Sequence, residues 1–190
     1  MLTYILVVTL VAQALLGGSL IVTLLVPGIR IWPPPGKKSW QYVFTWGLTF
    51  VSFGGILALG ILDWNSFLFD HWLRFPVGIA LIAFGLYLVL WAIRTLGSDA
   101  SQGLGGGLIR EGPYRWTRNP QYVADLAILA GFAVLSNSFL ALITGALAAV
   151  WFILAPFTEE PWLRDQLGEE YEQYMNQVPR FISIAKRAKS

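Results

Sequence analysis

The sequence predicts an all-α, polytopic membrane protein: five transmembrane helices, the last two joined as a hairpin, followed by a cytoplasmic C-terminal helix. Three observations lead there. Hydrophobic residues make up 56% of the 190 and charged residues only 13%, at a mean hydropathy of +0.60, which leaves too little polar surface to cover a soluble globule. The apolar residues gather in runs long enough to cross a hydrocarbon core about 30 Å thick at about 1.5 Å per residue. The basic residues gather in the connections between those runs, and they are strongly one-sided.

Leu2 to Val26 is uncharged for 25 residues, a spanning length. A cleaved signal peptide ending at Ala12-Gln13-Ala14 would call for a basic segment ahead of the run and an end to the run near the site. Neither is seen, so a span is expected. Further spans are expected at about 42–62 and 76–96, bounded by Trp, Pro or charged residues. Two shorter apolar pieces follow, at about 120–135 and 139–157. Ser136-Asn137-Ser138 separates them, a triplet that ends one helix and caps the next. The first of these arms has only 14 residues before the break, Tyr122 to Leu135, so it is expected to be thin, extended by neighbouring turns or partly shielded by protein. Residues 1–190 read as one domain, with a tail from 158 onward.

Arg30, Lys37 and Lys38 follow the first span, Arg74 alone follows the second, and Arg94, Arg110, Arg115 and Arg118 follow the third. The tail adds Arg164, Arg180, Lys186, Arg187 and Lys189. With five spans, every basic residue except Arg74 falls on one side, which the positive-inside rule makes cytoplasmic, with the N-terminus outside. Four or six spans would part the tail from at least one other basic loop. Trp32, Trp40, Trp46, Trp64, Trp72, Trp116 and Trp162 stand near span ends, where the expectation is interfacial anchoring. A pI near 9.0 is accounted for by this loop pattern at a net charge of only +2, so no nucleic-acid partner is expected. Absence of cysteine and a single histidine, His71, exclude disulfides, thiolate chemistry and a multi-histidine metal centre.

Pro33-Pro34-Pro35-Gly36-Lys37-Lys38 is a stiff turn expected to rest its lysines against anionic headgroups. Gly103-Leu104-Gly105-Gly106-Gly107 lacks the Gly-Lys-Ser/Thr of a phosphate loop. Its glycines either bend the chain or let backbone approach a ligand. More informative is the junction Gly112-Pro113-Tyr114-Arg115-Trp116-Thr117-Arg118-Asn119-Pro120-Gln121-Tyr122, where Pro120 is well placed at the first turn of the fourth helix. Gln121 and Tyr122 share a helix face with Asp125, and Arg118 can join them from the entering turn. Asp125 is a carboxylate inside an apolar span, so a partner is expected: either a nearby arginine at the interface or a cavity in which it serves the reaction. Glu159 and Glu160 emerge at the end of the fifth span. One reading makes them the acidic first turn of the next helix, capped by Thr158. Taken with Arg118 and the aromatic rings, they suit a zwitterionic ligand, arginine for its carboxylate and glutamate for its ammonium or hydroxyls.

The string Gly112 to Tyr122, then Glu159-Glu160, Gly168-Glu169-Glu170-Tyr171, Tyr174 and Val178-Pro179-Arg180-Phe181, resembles the isoprenylcysteine carboxyl methyltransferase and phospholipid methyltransferase superfamily. The likeness covers the chain from about Arg94-Thr95-Leu96-Gly97 to Phe181. It implies a membrane methyltransferase that binds S-adenosylmethionine with the last two spans, the preceding loop and the tail, and takes a lipid-like acceptor from the bilayer. By that resemblance Gly106, Gly107, Leu108, Ile109, Tyr114, Arg118, Asn119, Pro120, Gln121, Tyr122, Glu159 and Glu160 would form the cofactor pocket, and Asp125 would stand on the acceptor side as the catalytic candidate. Asn119 and Gly106 stand where the superfamily often has histidine. Ala155 stands where prenylcysteine enzymes carry an acceptor-binding arginine, which argues against a prenylcysteine carboxylate. A sterol-reductase-like enzyme using NADPH and a non-catalytic membrane scaffold are the alternatives. Gly54, Gly55 and Gly60 allow close helix packing without fixing an oligomeric state.

Overall fold

The computed structural model describes residues 1–26 and 28–182, and the basic residues Lys186, Arg187 and Lys189 lie outside them. Helices occupy α1 Leu2–Leu25, α2 Trp40–Leu62, α3 Arg74–Leu96, α4 Pro120–Ser136, α5 Phe139–Leu167 and α6 Glu169–Gln177, and no strand occurs among the described residues. α1, α2, α3 and α5 are long and apolar enough to cross a membrane, and α4 is a shorter apolar helix of 17 residues. The fold is therefore the all-helical, five-helix membrane architecture that composition and run length predict. Val43, Phe50, Leu57 and Ile79 face outward, whereas Thr9, Ser52 and Thr144 are buried between helices. This arrangement suits lipid, where large apolar groups gain nothing by burial and small residues let backbones approach.

Local chemistry explains the helix ends. Ser39 Oγ accepts from Tyr42 N at 3.2 Å to start α2, and Ser138 Oγ accepts from Ala141 N at 3.0 Å to start α5. Pro120 opens α4, two residues ahead of the Tyr122–Leu135 segment, and Asn137 closes it in the left-handed conformation at φ +46°. α3 packs mainly on α4. The helices meet through glycine: a Cβ on Gly131 would stand 2.8 Å from Gly78 O, and a Cβ on Gly78 would stand 2.8 Å from Gly131 O. Of the three glycines that allowed close packing, Gly55 faces Thr9 and Gly60 faces Phe132 and Ala141, both inside the chain, while Gly54 has open space around it.

One expectation is corrected. Thr158 does not cap a new helix at Glu159, because α5 runs on through Pro156 and Pro161 to Leu167. Each proline removes one backbone donor, but Ala155, Pro156, Thr158 and Glu160 form a buried face that holds the helix together. Thr158 Oγ1 donates back to Ala155 O at 2.7 Å rather than capping. The separate tail helix begins only after Gly168, at φ +58°.

At the end of the bundle away from the tail, a polar clasp joins the α2–α3 connection to the α4–α5 turn. Asp63 Oδ2 accepts from Ser66 Oγ at 2.7 Å, Ser138 Oγ at 2.7 Å and Leu140 N at 3.0 Å. Burial pushes the Asp63 carboxyl up, but these bonds outweigh it and hold the group below its ordinary range. Asn137 Nδ2 donates to Asn65 Oδ1 at 2.8 Å and Phe67 O at 3.0 Å, while its Oδ1 accepts from Phe69 N at 3.1 Å. Buried Arg74 joins through Asn65. Asn137→Ala should lose these bonds and strain the left-handed turn, costing about 2–3 kcal/mol. Thermal unfolding in detergent is expected to show a lowered midpoint, with Asn137→Gly falling between the two.

Candidate functional site

At the opposite end, three connections meet. Lys37 Nζ of the first reaches Asp99 Oδ1 of the third at 2.7 Å. Trp32 Nε1 donates to Glu159 Oε1 at 2.5 Å, and Arg118 N donates to Pro179 O in the tail at 2.9 Å. Ile31, Trp32, Pro33 and Pro34 are buried. The proline turn therefore packs inward, and Lys37 is engaged by Asp99 rather than left for headgroups. Each charge of the exposed Lys37–Asp99 pair stabilises the other, raising the lysine's proton affinity and lowering the carboxyl's.

The junction ahead of α4 is held on two sides. Gly112 sits at φ +54°, and a Cβ there would stand 2.8 Å from Thr95 Oγ1, so α3 presses on a position only glycine fills easily. From the tail, Tyr174 Oη donates to Tyr114 O at 2.7 Å. Thr117 Oγ1 and Asn119 Nδ2 both donate to Arg180 O at 2.9 Å. The Asn119 side chain is thus occupied in tying the tail to the helix start. Burial raises the phenols of Tyr114 and Tyr171 well above their ordinary value, and that of Tyr174 to about 12. All three keep their protons; Tyr174 uses its own to donate, and the Tyr114 hydroxyl accepts from Gln121 Nε2 at 3.5 Å.

A cavity of about 510 Å³ lies under these connections. All thirteen site residues singled out from the sequence line it: Gly106, Gly107, Leu108, Ile109, Tyr114, Arg118, Asn119, Pro120, Gln121, Tyr122, Asp125, Glu159 and Glu160. Its polar end joins α5 to the α4 start. Glu159 Oε1 accepts from Tyr122 Oη as well as from Trp32. Glu160 is an ion-pair hub: Arg118 Nη2 lies 2.9 Å from Oε1, and Arg180 is bidentate, Nε to Oε1 at 2.8 Å and Nη2 to Oε2 at 2.5 Å. The other end is apolar, with Trp46, Phe50 and Phe53 of α2, Val89, Ile93 and Leu96 of α3, and Phe152 of α5. α2 and α3 do not pack face to face. Phe50 and Ile93, one from each, are exposed on the outer surface as well as lining the cavity.

Two expectations change here. Arg118 is taken by Glu160, so Asp125 has no arginine, and among the described residues it has no hydrogen-bond or ion-pair partner. Its carboxylate faces the cavity between the polar and apolar ends. Trp32, Trp46 and Trp162 are wall residues rather than interfacial anchors, while Trp40, Trp64, Trp72 and Trp116 are exposed. Sequence reasoning missed Trp32 and Arg180 as contributors. Arg180 was visible only as part of the Val178-Pro179-Arg180-Phe181 string, and Trp32 had no signal beyond its neighbouring prolines.

The wall suits a cofactor of mixed character. Its volume falls in the range of about 300–1,000 Å³ usual for such pockets. Three wall residues carry a buried polar atom without a protein partner: Trp46 Nε1, Ser101 Oγ and Arg118 Nε. Such atoms are costly unless a ligand or water satisfies them. Trp32→Phe keeps the ring packing but removes the donor to Glu159, and is expected to cost about 1–2 kcal/mol, read as a lowered melting midpoint in detergent.

Comparison with known proteins bears on this site. The family model described as phospholipid methyltransferase matches residues 73–170, which contain α3, the junction, α4, α5 and the start of the tail helix. The Solanum lycopersicum protein named steroid 5-alpha-reductase DET2 is 24% identical over 111 residues, 58% of this chain and 43% of that protein. The chain thus aligns with less than half the length of that relative. No solved structure matches it. On the family match, which takes in more than half of its residues and both motifs, the chain belongs to the phospholipid methyltransferase family.

Proposed function

We propose that the protein transfers a methyl group from S-adenosylmethionine to a lipid-like acceptor at the cytoplasmic leaflet, with the N-terminus outside. The observation that carries this reading is a single cavity with an acidic and arginine-bearing end beside an apolar end that reaches the lipid-facing surface between α2 and α3. When bound, the cofactor supplies a methyl group on a sulfonium sulfur that leaves readily. The chain's task is then positioning and exclusion of water. Arg118, as a wall residue, offers its guanidinium to an anionic group, and Glu159 accepts from an ammonium or hydroxyl. Trp46, Phe50, Phe53 and Phe152 shield the acceptor's reacting end from water. Asp125, unpartnered, takes up a proton at its carboxylate when the acceptor is an amine, and serves no such role for an acceptor without one.

A second reading, NADPH-dependent reduction, is favoured by the partial likeness to the steroid 5-alpha-reductase. Arg118 is the only basic residue of the described cavity wall, and it is paired with Glu160. That is a poor match to several phosphates. Calorimetric titration separates the readings: the purified protein is expected to bind S-adenosylmethionine and not NADPH, with Arg118→Ala and Glu159→Ala each weakening the binding about tenfold or more. Unchanged affinity in both variants would reject the assignments, preferential retention of NADPH would favour reduction, and binding of neither would favour a scaffold. With radiolabelled cofactor and a total lipid extract, Asp125→Asn is expected to lower label transfer to an amine acceptor by about 10²-fold while leaving cofactor affinity unchanged.

A further inference from the structure

Glu160 stands between two guanidiniums that are not equivalent. Arg118 belongs to the cavity wall, whereas Arg180 does not, lying behind the carboxylate with its guanidinium 3.8 Å from the centre of the Phe157 ring. Arg180 engages both Glu160 oxygens. Arg118 makes one contact with the carboxylate, through Nη2, and its Nε is buried without a partner. Two cations around one anion give this triad a surplus positive charge, offset in part by the neighbouring Glu159 carboxylate that Trp32 and Tyr122 hold, and the cation with an unsatisfied donor belongs to the cavity wall. Without Arg180 the Arg118–Glu160 pair would be neutral and would attract an anion weakly.

The placement of Arg180 is set by the same turn that places Arg118. Thr117 and Asn119, the residues flanking Arg118, both bind the Arg180 carbonyl. We infer that Arg180 is a positioning residue: by satisfying Glu160 from behind, it leaves the Arg118 charge only partly offset and available to a carboxylate in the cavity, that of the methionine moiety. The inference rests on the methyl-transfer reading and adds to it the group that sets the cavity's preference for an anionic end.

The test compares calorimetric binding of S-adenosylmethionine and of its decarboxylated analogue. The wild-type protein is expected to prefer the carboxylated form by about tenfold or more. Arg180→Gln should bind the two within about twofold of each other, and Glu160→Gln/Arg180→Gln, in which nothing neutralises Arg118, should regain a preference of about fivefold or more. A purely structural role would weaken both ligands equally and would give no rescue. An undiminished preference in Arg180→Gln, equal binding of both ligands by the wild type, or a double variant without preference would each overturn the inference. If Arg180→Gln does not fold, the double variant decides alone. Binding of neither ligand by the wild type would overturn the methyl-transfer reading itself.

Discussion

Three parts of the chain are held together at one carboxylate. Glu160 lies on α5, Arg118 on the junction before α4 and Arg180 beyond the tail helix, and the Arg118 and Glu160 side chains are only 8% and 7% exposed. A buried carboxylate is tolerated only when its charge is balanced and its lone pairs are filled, and here two arginines do both. Removing one partner of such a group typically costs about 3–5 kcal/mol. This requirement fits the local architecture: α5 continues past Pro156 to present Glu160, the junction turns so that Arg118 enters, and the tail folds back until Arg180 can reach.

The two ends of the bundle answer different demands. The end away from the tail is closed by hydrogen bonds among Asp63, Asn65, Asn137 and Ser138, which tie the α2–α3 connection to the α4–α5 turn. Between the ends, glycine contacts bring α3 onto α4, and Gln13 Nε2 bridges Ser52 Oγ at 3.1 Å and Thr144 O at 2.9 Å across α1, α2 and α5. At the tail end the helices part and the cavity opens, with its polar groups only partly satisfied by protein. Rigidity is thus concentrated where nothing needs to enter.

The cavity's division into polar and apolar ends fits membership of a membrane methyltransferase family. The methyl transfer proposed above, from a charged, water-soluble donor to a lipid-like acceptor, has to join the two phases at one point. Tyr122 and Asp125, about one helical turn apart on α4, both line this cavity. Ala155, buried beside Leu20 and Trp32, contributes no charge there.

Much of this could be read from the chain alone, because the determinants are local or cumulative. Helix count follows from run length against bilayer thickness, the hairpin from Ser136-Asn137-Ser138, and the grouping of the loops from the lopsided lysines and arginines. The thirteen site residues were identifiable by resemblance, and all of them line the cavity. What the sequence could not reveal were the pairings between distant segments. Whether Arg118 meets Asp125, seven residues further along the same segment, or Glu160, on another helix, depends on how α4 and α5 are rotated and on where the tail returns. The same holds for Trp32, which by its neighbours is an interfacial ring and by its position a donor to Glu159. Composition and spacing determined which elements form and which residue types are available. Tertiary packing decided which charges meet, because ion pairing falls off over a few ångströms and depends on orientation that no single segment carries.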